Sequence, residues 1–224
     1  MRGGVLVIGG IDTGVGKTIA TGLLARALIE RGRSAITQKI VQTGCTGFPD
    51  DIMTHRMLMG VGLQDADREG KTCPYVFPYP ASPHLAARME GITIDIMDIR
   101  RATFALQKQY SMVLLEGTGG LLVPLSQDLL VADYIRDAGY PLLLVSSSRL
   151  GSINHTLLSL EACVRRGIAV KGLLYNRFRE GDTAIGDDSR HMIDRYLKKY
   201  GLSAPVIDLH EGVLPPGTLD ILCI

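Results

Sequence analysis

The stretch Val5-Leu6-Val7-Ile8-Gly9-Gly10-Ile11-Asp12-Thr13-Gly14-Val15-Gly16-Lys17-Thr18 decides the fold. Its apolar run at 5–8 reads as a buried strand and its glycines as a tight loop. The apolar spacing over 19–31 reads as a helix that begins directly after Gly-Lys-Thr. A loop ending this way at a helix start points backbone N–H groups at phosphate oxygens, adds the positive end of the helix, and supplies a lysine for the terminal phosphates. The Thr18 hydroxyl is then placed for a Mg²⁺ ligand position. Residues 11–15 make the interval between Gly10 and the Gly-Lys pair five long, one more than the common form of this loop, so the motif is a variant. A glycine-rich turn can be purely structural, but Gly-Lys-Thr between a strand and a helix favours nucleotide phosphate binding.

At 224 residues the chain suits one substantial α/β domain over 1–224 rather than two. Its 24 Lys and Arg nearly cancel its 23 Asp and Glu, so no global field points to nucleic acid or to an anionic membrane, and a phosphate site has to be local. Cys45, Cys73, Cys163 and Cys223 form no Cys-x-x-Cys pair, which argues against a zinc site or a redox motif. No apolar run reaches the roughly 18 residues of a membrane span, and the chain enters its first strand at once, so a cytoplasmic protein is expected.

Outward from the loop, 34–40 is a second apolar segment carrying Lys39 at its end, followed by the polar turn Val41-Gln42-Thr43-Gly44. A lysine there faces the ligand crevice of an open α/β sheet, with a solvated surface lysine as the bland alternative. Asp50-Asp51 precedes a helix over 52–59, where an aspartate either caps the helix or binds a metal. The stretch 60–83 lacks a convincing period and reads as a long excursion. Helical spacing returns at 83–90 and 94–109, and Met112-Val113-Leu114-Leu115 is a short buried strand. It runs into Glu116-Gly117-Thr118-Gly119-Gly120, where a carboxylate at a strand end and close-approach glycines form the usual second half of a nucleotide site.

Further on, 128–138 reads as a helix, 141–145 as a strand, 152–166 as a helix, 170–175 as a strand closing on Asn176, 187–200 as a helix and 205–207 as a short strand. The tail with Pro215-Pro216-Gly217 reads as irregular. This alternation implies a three-layer α/β fold of the P-loop NTPase type, a mostly parallel sheet with helices on both faces. Lys17, Lys39, Thr43, Asp51, Glu116, Asn154 and Asn176 all follow strands or open helices, so they can converge on one edge of the sheet.

At these residues the chain resembles the dethiobiotin synthetase family of the variant P-loop superfamily. The resemblance covers most of the chain. It rests on Gly10 through Thr18, on Lys39 with Thr43, on Ser82-Pro83-His84, on Glu116-Gly117-Thr118-Gly119-Gly120 and on Leu150-Gly151-Ser152-Ile153-Asn154-His155. It implies a homodimeric, ATP- and Mg²⁺-dependent ligase that makes dethiobiotin from 7,8-diaminononanoate and CO2. The route it implies passes through a carbamate and a carbamic-phosphoric anhydride, with ADP and phosphate released.

The resemblance also assigns roles. Thr13, Gly14, Val15, Gly16, Lys17, Thr18 and Ile19 hold the nucleotide, together with Asp51, Glu116, Gly117, Thr118, Gly119 and Asn176. Thr18, Asp51 and Glu116 hold Mg²⁺, while Lys17, Lys39 and Thr43 act in catalysis. Thr13, Lys39, Thr43 and Ser82 meet the substrate, whose carboxylate lies at the helix start formed by Leu150, Gly151 and Asn154 of the partner subunit. The chain departs from the family pattern at Gly14, where many relatives carry glutamate, and at Asn176-Arg177, where Asn-Asp is common. A Pro-containing segment that helps hold the base is not clearly matched over 205–211.

Two competing readings remain on these residues. A partitioning-type regulatory ATPase shares the superfamily, but its loop carries an extra early lysine that 11–15 lack, and no basic excess supports DNA binding. A synthetase acting on a corrin carboxylate has a similar loop but needs an ammonia source, usually a fused glutaminase for which 224 residues leave no room.

Overall fold

The computed structural model describes residues 3–178 and 182–224. Chain order is β1 (Gly4–Gly10), α1 (Lys17–Glu30), β2 (Ala35–Lys39), β3 (Gln42–Thr43), α2 (Asp50–Met59), α3 (Asp65–Arg68), β4 (Val76–Phe77), α4 (Pro83–Met89) and α5 (Ile96–Gln107). It continues with β5 (Met112–Glu116), α6 (Val131–Ala138), β6 (Leu142–Ser147), α7 (Ser152–Arg166), β7 (Val170–Asn176), α8 (Thr183–Lys199), β8 (Val206–Leu209) and α9 (Thr218–Leu222). Six strands form one sheet in the order β2-β5-β1-β6-β7-β8, every pairing parallel.

The central strands are apolar on both faces because both faces are covered. Leu6, Val7 and Ile8 of β1, Val113, Leu114 and Leu115 of β5, and Leu142 to Val145 of β6 are all buried. A continuous apolar run, rather than an alternating one, is the pattern a parallel sheet needs between two helical layers. The three-layer α/β fold expected from the alternation is the one observed. Because the strands are parallel, Gly10, Lys39, Glu116, Ser147, Asn176 and Leu209 all end strands on one edge of the sheet. Among the described residues no helix is long and apolar enough to cross a membrane.

Several local expectations change. The excursion over 60–83 contains α3 and β4, and β4 pairs in parallel with β3 as Gln42↔Val76 and Thr43↔Phe77. Elements of two to four residues are shorter than any hydrophobic period can reveal. The tail ends in α9, whose Leu219 and Leu222 are buried, and α6 begins at Val131 rather than near 128. Helix α8 starts at Thr183, capped by the Asp182 carboxylate that accepts the Ala184 N–H, four residues earlier than its periodicity indicated.

Helix α2 is anchored by a buried ion pair. Arg56 donates to both carboxylate oxygens of Asp67 at 2.8 Å and to the Thr37 hydroxyl of β2 at 2.9 Å. Burial opposes ionisation of Asp67, but hydrogen bonds from Arg56, the Gln64 N–H and the Thr72 hydroxyl outweigh it and hold the carboxyl below its ordinary 3.8. A folded-state pKa below the unfolded one contributes stability that is fully present above pH 3.8 and is lost as pH falls through the folded value. Thermal unfolding of Asp67→Asn is therefore expected to depend less on pH than the native chain in that acidic window. Parallel melting curves across it would remove Asp67 from acid stability.

Candidate active site

The sheet register builds the charged centre. Lys39 and Glu116 are direct partners across β2 and β5, and Glu116 also pairs with Ile8 across β1. Two strand-end side chains that sequence places 77 positions apart are thus neighbours, with Lys39 Nζ 2.7 Å from Glu116 Oε1. Lys39 Nζ also lies 2.6 Å from Asp51 Oδ2 and donates to the Gly117 carbonyl at 3.1 Å. The Thr18 hydroxyl, on the first turn of α1, lies 3.0 Å from Glu116 Oε1 and 3.2 Å from Asp51 Oδ1.

Asp51 is not the helix cap. Pro49 takes the N-cap position of α2, so Asp51 sits in the first turn with its carboxylate turned to Lys39 and Thr18. One turn later in the same helix is His55, which sequence reading did not single out. Its Nε2–H donates to Glu116 Oε2 at 2.7 Å, and both residues are fully buried. The signal was present as spacing, since positions i and i+4 of a helix share a face.

Burial disfavours the charged form of Glu116, but Lys39 and His55 beside it more than offset that, and its pKa falls to about 2. Burial likewise acts against protonated Lys39, yet Glu116 and Asp51 hold its pKa above the ordinary lysine value. Lys17 goes the other way: burial, and then repulsion from Lys39, bring it down to about 8, with Nζ donating to the Asp12 carbonyl at 2.7 Å.

The phosphate loop is held from two sides. Asn176, at the end of β7, donates through Nδ2 to the Val15 carbonyl at 2.9 Å and accepts the Phe178 N–H at 3.0 Å. Gly16 is required here, because its φ is 99° and a Cβ would stand 2.4 Å from Asn176 Nδ2. On the other side Asp12 accepts the Thr13 N–H at 2.7 Å and pairs with Arg149 at 2.6 Å. Gly14, the departure from the pattern the resemblance implies, adopts φ 71° beside open space, so no neighbour occupies the place a side chain would take. Arg177, the other departure, turns to Asp208 at 2.7 Å and Asp187 at 2.8 Å, tying β7 to β8 and α8.

A cavity of ≈ 1100 Å³ opens on this edge of the sheet. Of the residues expected at a site it is lined by Thr13, Gly14, Gly16, Lys17, Thr18, Ile19, Lys39, Thr43, Asp51, Ser82, Glu116, Thr118, Gly119 and Asn176. Val15 and Gly117 stand behind the wall, offering carbonyls to Asn176 and Lys39. Leu150, Gly151 and Asn154 are outside this lining, exposed at the start of α7, with Leu150 at 87%. The lining also includes Gln42, Pro80 and Ala81 beside the β3–β4 pair, and Phe178, Leu209, Glu211 and Gly212 at the far end. The last two form a tight turn with φ 47° and 72°, closed by the Val213 N–H donating to the His210 carbonyl at 2.7 Å.

Two lysines, a hydroxyl and two carboxylates at the mouth of a phosphate loop are equipped to bind a nucleotide and to bring a second anion against it. Comparison with known proteins agrees. The family described as an AAA domain matches residues 4–209. The chain is 63% identical to an ATP-dependent dethiobiotin synthetase of Chlorobaculum tepidum, over 98% of this chain and 93% of that protein. It is 54% identical to one of Haemophilus influenzae, over 82% of this chain and 96% of that protein. Among solved structures, a ParA family ATPase from Chlorobium tepidum superposes with TM-score 0.54 at 16% identity, over 94% of this chain and 85% of that one. Likeness at that identity reports the shared P-loop fold alone. With near full-length relatives far above that level, the chain belongs to the ATP-dependent dethiobiotin synthetase family.

Proposed function

We propose that this chain is an ATP-dependent cyclo-ligase that closes the cyclic urea of dethiobiotin from 7,8-diaminononanoate and CO2, releasing ADP and phosphate. The observation that carries the reading is the convergence of Lys17, Thr18, Lys39, Asp51 and Glu116 on one cavity behind the phosphate loop. Residues 1–224 act as one P-loop α/β domain whose partners are small molecules. The near-balanced charge supports that over a nucleic-acid ligand, and the absence of a long apolar helix among the described residues is compatible with the cytoplasm.

The chemistry demands that an anionic carbamate, formed on one substrate amine, approach an anionic γ-phosphate. Lys39, held charged and buried at the rear of the cavity, is the cation that lies between them, and Lys17 takes the terminal phosphate oxygens. The loop N–H groups and the start of α1 hold the remaining phosphate charge. Thr43, a residue of the cavity wall, would orient the carbamate or the attacking amine through its hydroxyl, and Thr13 and Ser82 border the same space. After phosphoryl transfer to the carbamate oxygen, the second amine attacks the carbonyl carbon and phosphate leaves. No protein nucleophile is needed.

Thr18, Asp51 and Glu116 would hold Mg²⁺. Their hydroxyl and carboxylates are the hard oxygen donors it prefers, and Thr18 Oγ1 lies within 3.2 Å of both carboxylates. Among the described residues no group of three or more His, Cys, Asp or Glu side chains is arranged to hold a metal. This suits an ion that takes one or two carboxylates and completes its shell with water and substrate phosphates. Bound there, Mg²⁺ would neutralise charge on the β- and γ-phosphate oxygens. The exposed start of α7, with Leu150, Gly151 and Asn154, supports a homodimer in which it caps the substrate carboxylate of the partner's site.

Incubation with diaminononanoate, bicarbonate, Mg²⁺ and each nucleoside triphosphate, read by mass spectrometry, tests the activity. Dethiobiotin is the expected product, and its absence with every nucleotide would overturn the assignment. The native mass in solution tests the dimer.

A further inference from the structure

We infer that His55 is a positioning residue for the metal-facing carboxylate of Glu116, and that α2 works as a clamp holding both carboxylates of the site in register. The inference rests on the reading of Thr18, Asp51 and Glu116 as the Mg²⁺ ligands. It deepens that reading by adding the group that sets how one of them is turned.

The geometry is specific. Glu116 spends its two oxygens on different partners: Oε1 faces Lys39 and Thr18, and Oε2 accepts the Nε2–H of His55 at 2.7 Å. Lys39 and Thr18 restrain only one oxygen of this carboxylate, whose terminal torsion is intrinsically broad. A donor on the rear oxygen, itself fully buried, fixes that rotation and leaves Oε1 turned toward the cavity. His55 Nδ1 is buried with no hydrogen-bond partner among the described residues, so the bond to Glu116 is the polar contact the ring makes there. A ring placed only to fill space would not require a buried polar atom, since an apolar side chain of that size fills the same volume without the desolvation cost.

Helical spacing explains why one element can do this. Asp51 and His55 are four apart in α2, so they project from one face, Asp51 onto Lys39 and Thr18 and His55 onto Glu116. The next residue, Arg56, pins α2 to β2 through Thr37 and to Asp67. The position of α2 is therefore coupled to the orientation of two ligands that come from different parts of the chain. Outer-shell partners that orient a metal-bound carboxylate affect metal affinity strongly.

The test compares nucleotide binding as a function of Mg²⁺ concentration in the native chain, His55→Gln, His55→Asn and His55→Leu, followed by a fluorescent ATP analogue and repeated with EDTA. Gln reaches with its amide nitrogen to about where Nε2 stands, whereas Asn stops short near Nδ1. The Mg²⁺ concentration at half-saturation is expected to rise about 10–100-fold in His55→Asn and His55→Leu, to stay near native in His55→Gln, and to leave binding in EDTA unchanged. If His55→Leu does not fold, the Asn and Gln pair, both polar and near in volume, still decides. Unchanged half-saturation in His55→Asn, or an equal shift in Gln and Asn, would overturn the positioning role while leaving the ligand set standing. A native chain whose nucleotide binding ignores Mg²⁺ altogether would overturn both.

Discussion

Lys39→Ala is expected to lose turnover on the order of 10³-fold while retaining most of its nucleotide binding. Lys39 is proposed as the cation between the two anions that must react, and it is held in place by Asp51 at 2.6 Å and Glu116 at 2.7 Å. The phosphate loop does not depend on it, because that loop is held by Asn176 at the end of β7 and by Arg149, which pairs with the loop's own Asp12. Removing Lys39 has a second consequence of opposite sign. Two carboxylates lose their shared counter-charge, so the Mg²⁺ needed for half-maximal nucleotide binding is expected to fall even as turnover collapses. Breaking a buried pair from one side costs about 3–5 kcal/mol of stability, so Lys39→Met, which keeps the stem, serves as the companion variant. Steady-state kinetics with a Mg²⁺ titration checks both parts, and turnover within tenfold of native would remove Lys39 from the mechanism.

Glu116→Gln should weaken Mg²⁺-dependent nucleotide binding by at least about 100-fold, no less than an outer-shell change costs, with little effect on binding in EDTA. The amide keeps the shape of the side chain but carries no charge for the ion. It also leaves Lys39 with Asp51 alone as its carboxylate partner at this centre. Because Glu116 is buried between Lys39 and His55, the same change should lower stability, which a melting curve separates from the binding defect. A Mg²⁺ titration unchanged from native would reject Glu116 as a ligand.

Much of this site was legible along the chain. The run from Val5 to Thr18 carries its strand, loop and helix in adjacent residues, so local pattern suffices to read it. Lys39 and Glu116 stand as charges at the ends of apolar runs, a placement that has chemical meaning in any parallel α/β sheet, although by position alone Lys39 read equally well as a solvated surface lysine. The variant spacing and the missing early lysine separated a synthetase from a partitioning ATPase, and relatives at 63% and 54% identity agree with the synthetase.

Other parts had no local signature. Asp51 read equally well as a helix cap, and only the Pro49 cap and the approach of Lys39 assign it to the centre. His55 lay inside an ordinary helical pattern, and nothing in its neighbours names Glu116, 61 positions away, as its partner. Glu211 and Gly212 enter the cavity from a turn in a stretch with no hydrophobic period.

By itself the sequence determined the order of the longer strands and helices, the phosphate loop, and which side chains end the main strands, because each depends on residues a few positions apart. The tertiary structure decided which of those side chains meet. The parallel register of β2 on β5 sets Lys39 against Glu116, and the seating of α2 by Arg56 and Asp67 brings Asp51 and His55 onto them. Contacts between distant elements depend on how whole surfaces pack, and local periodicity does not encode that packing.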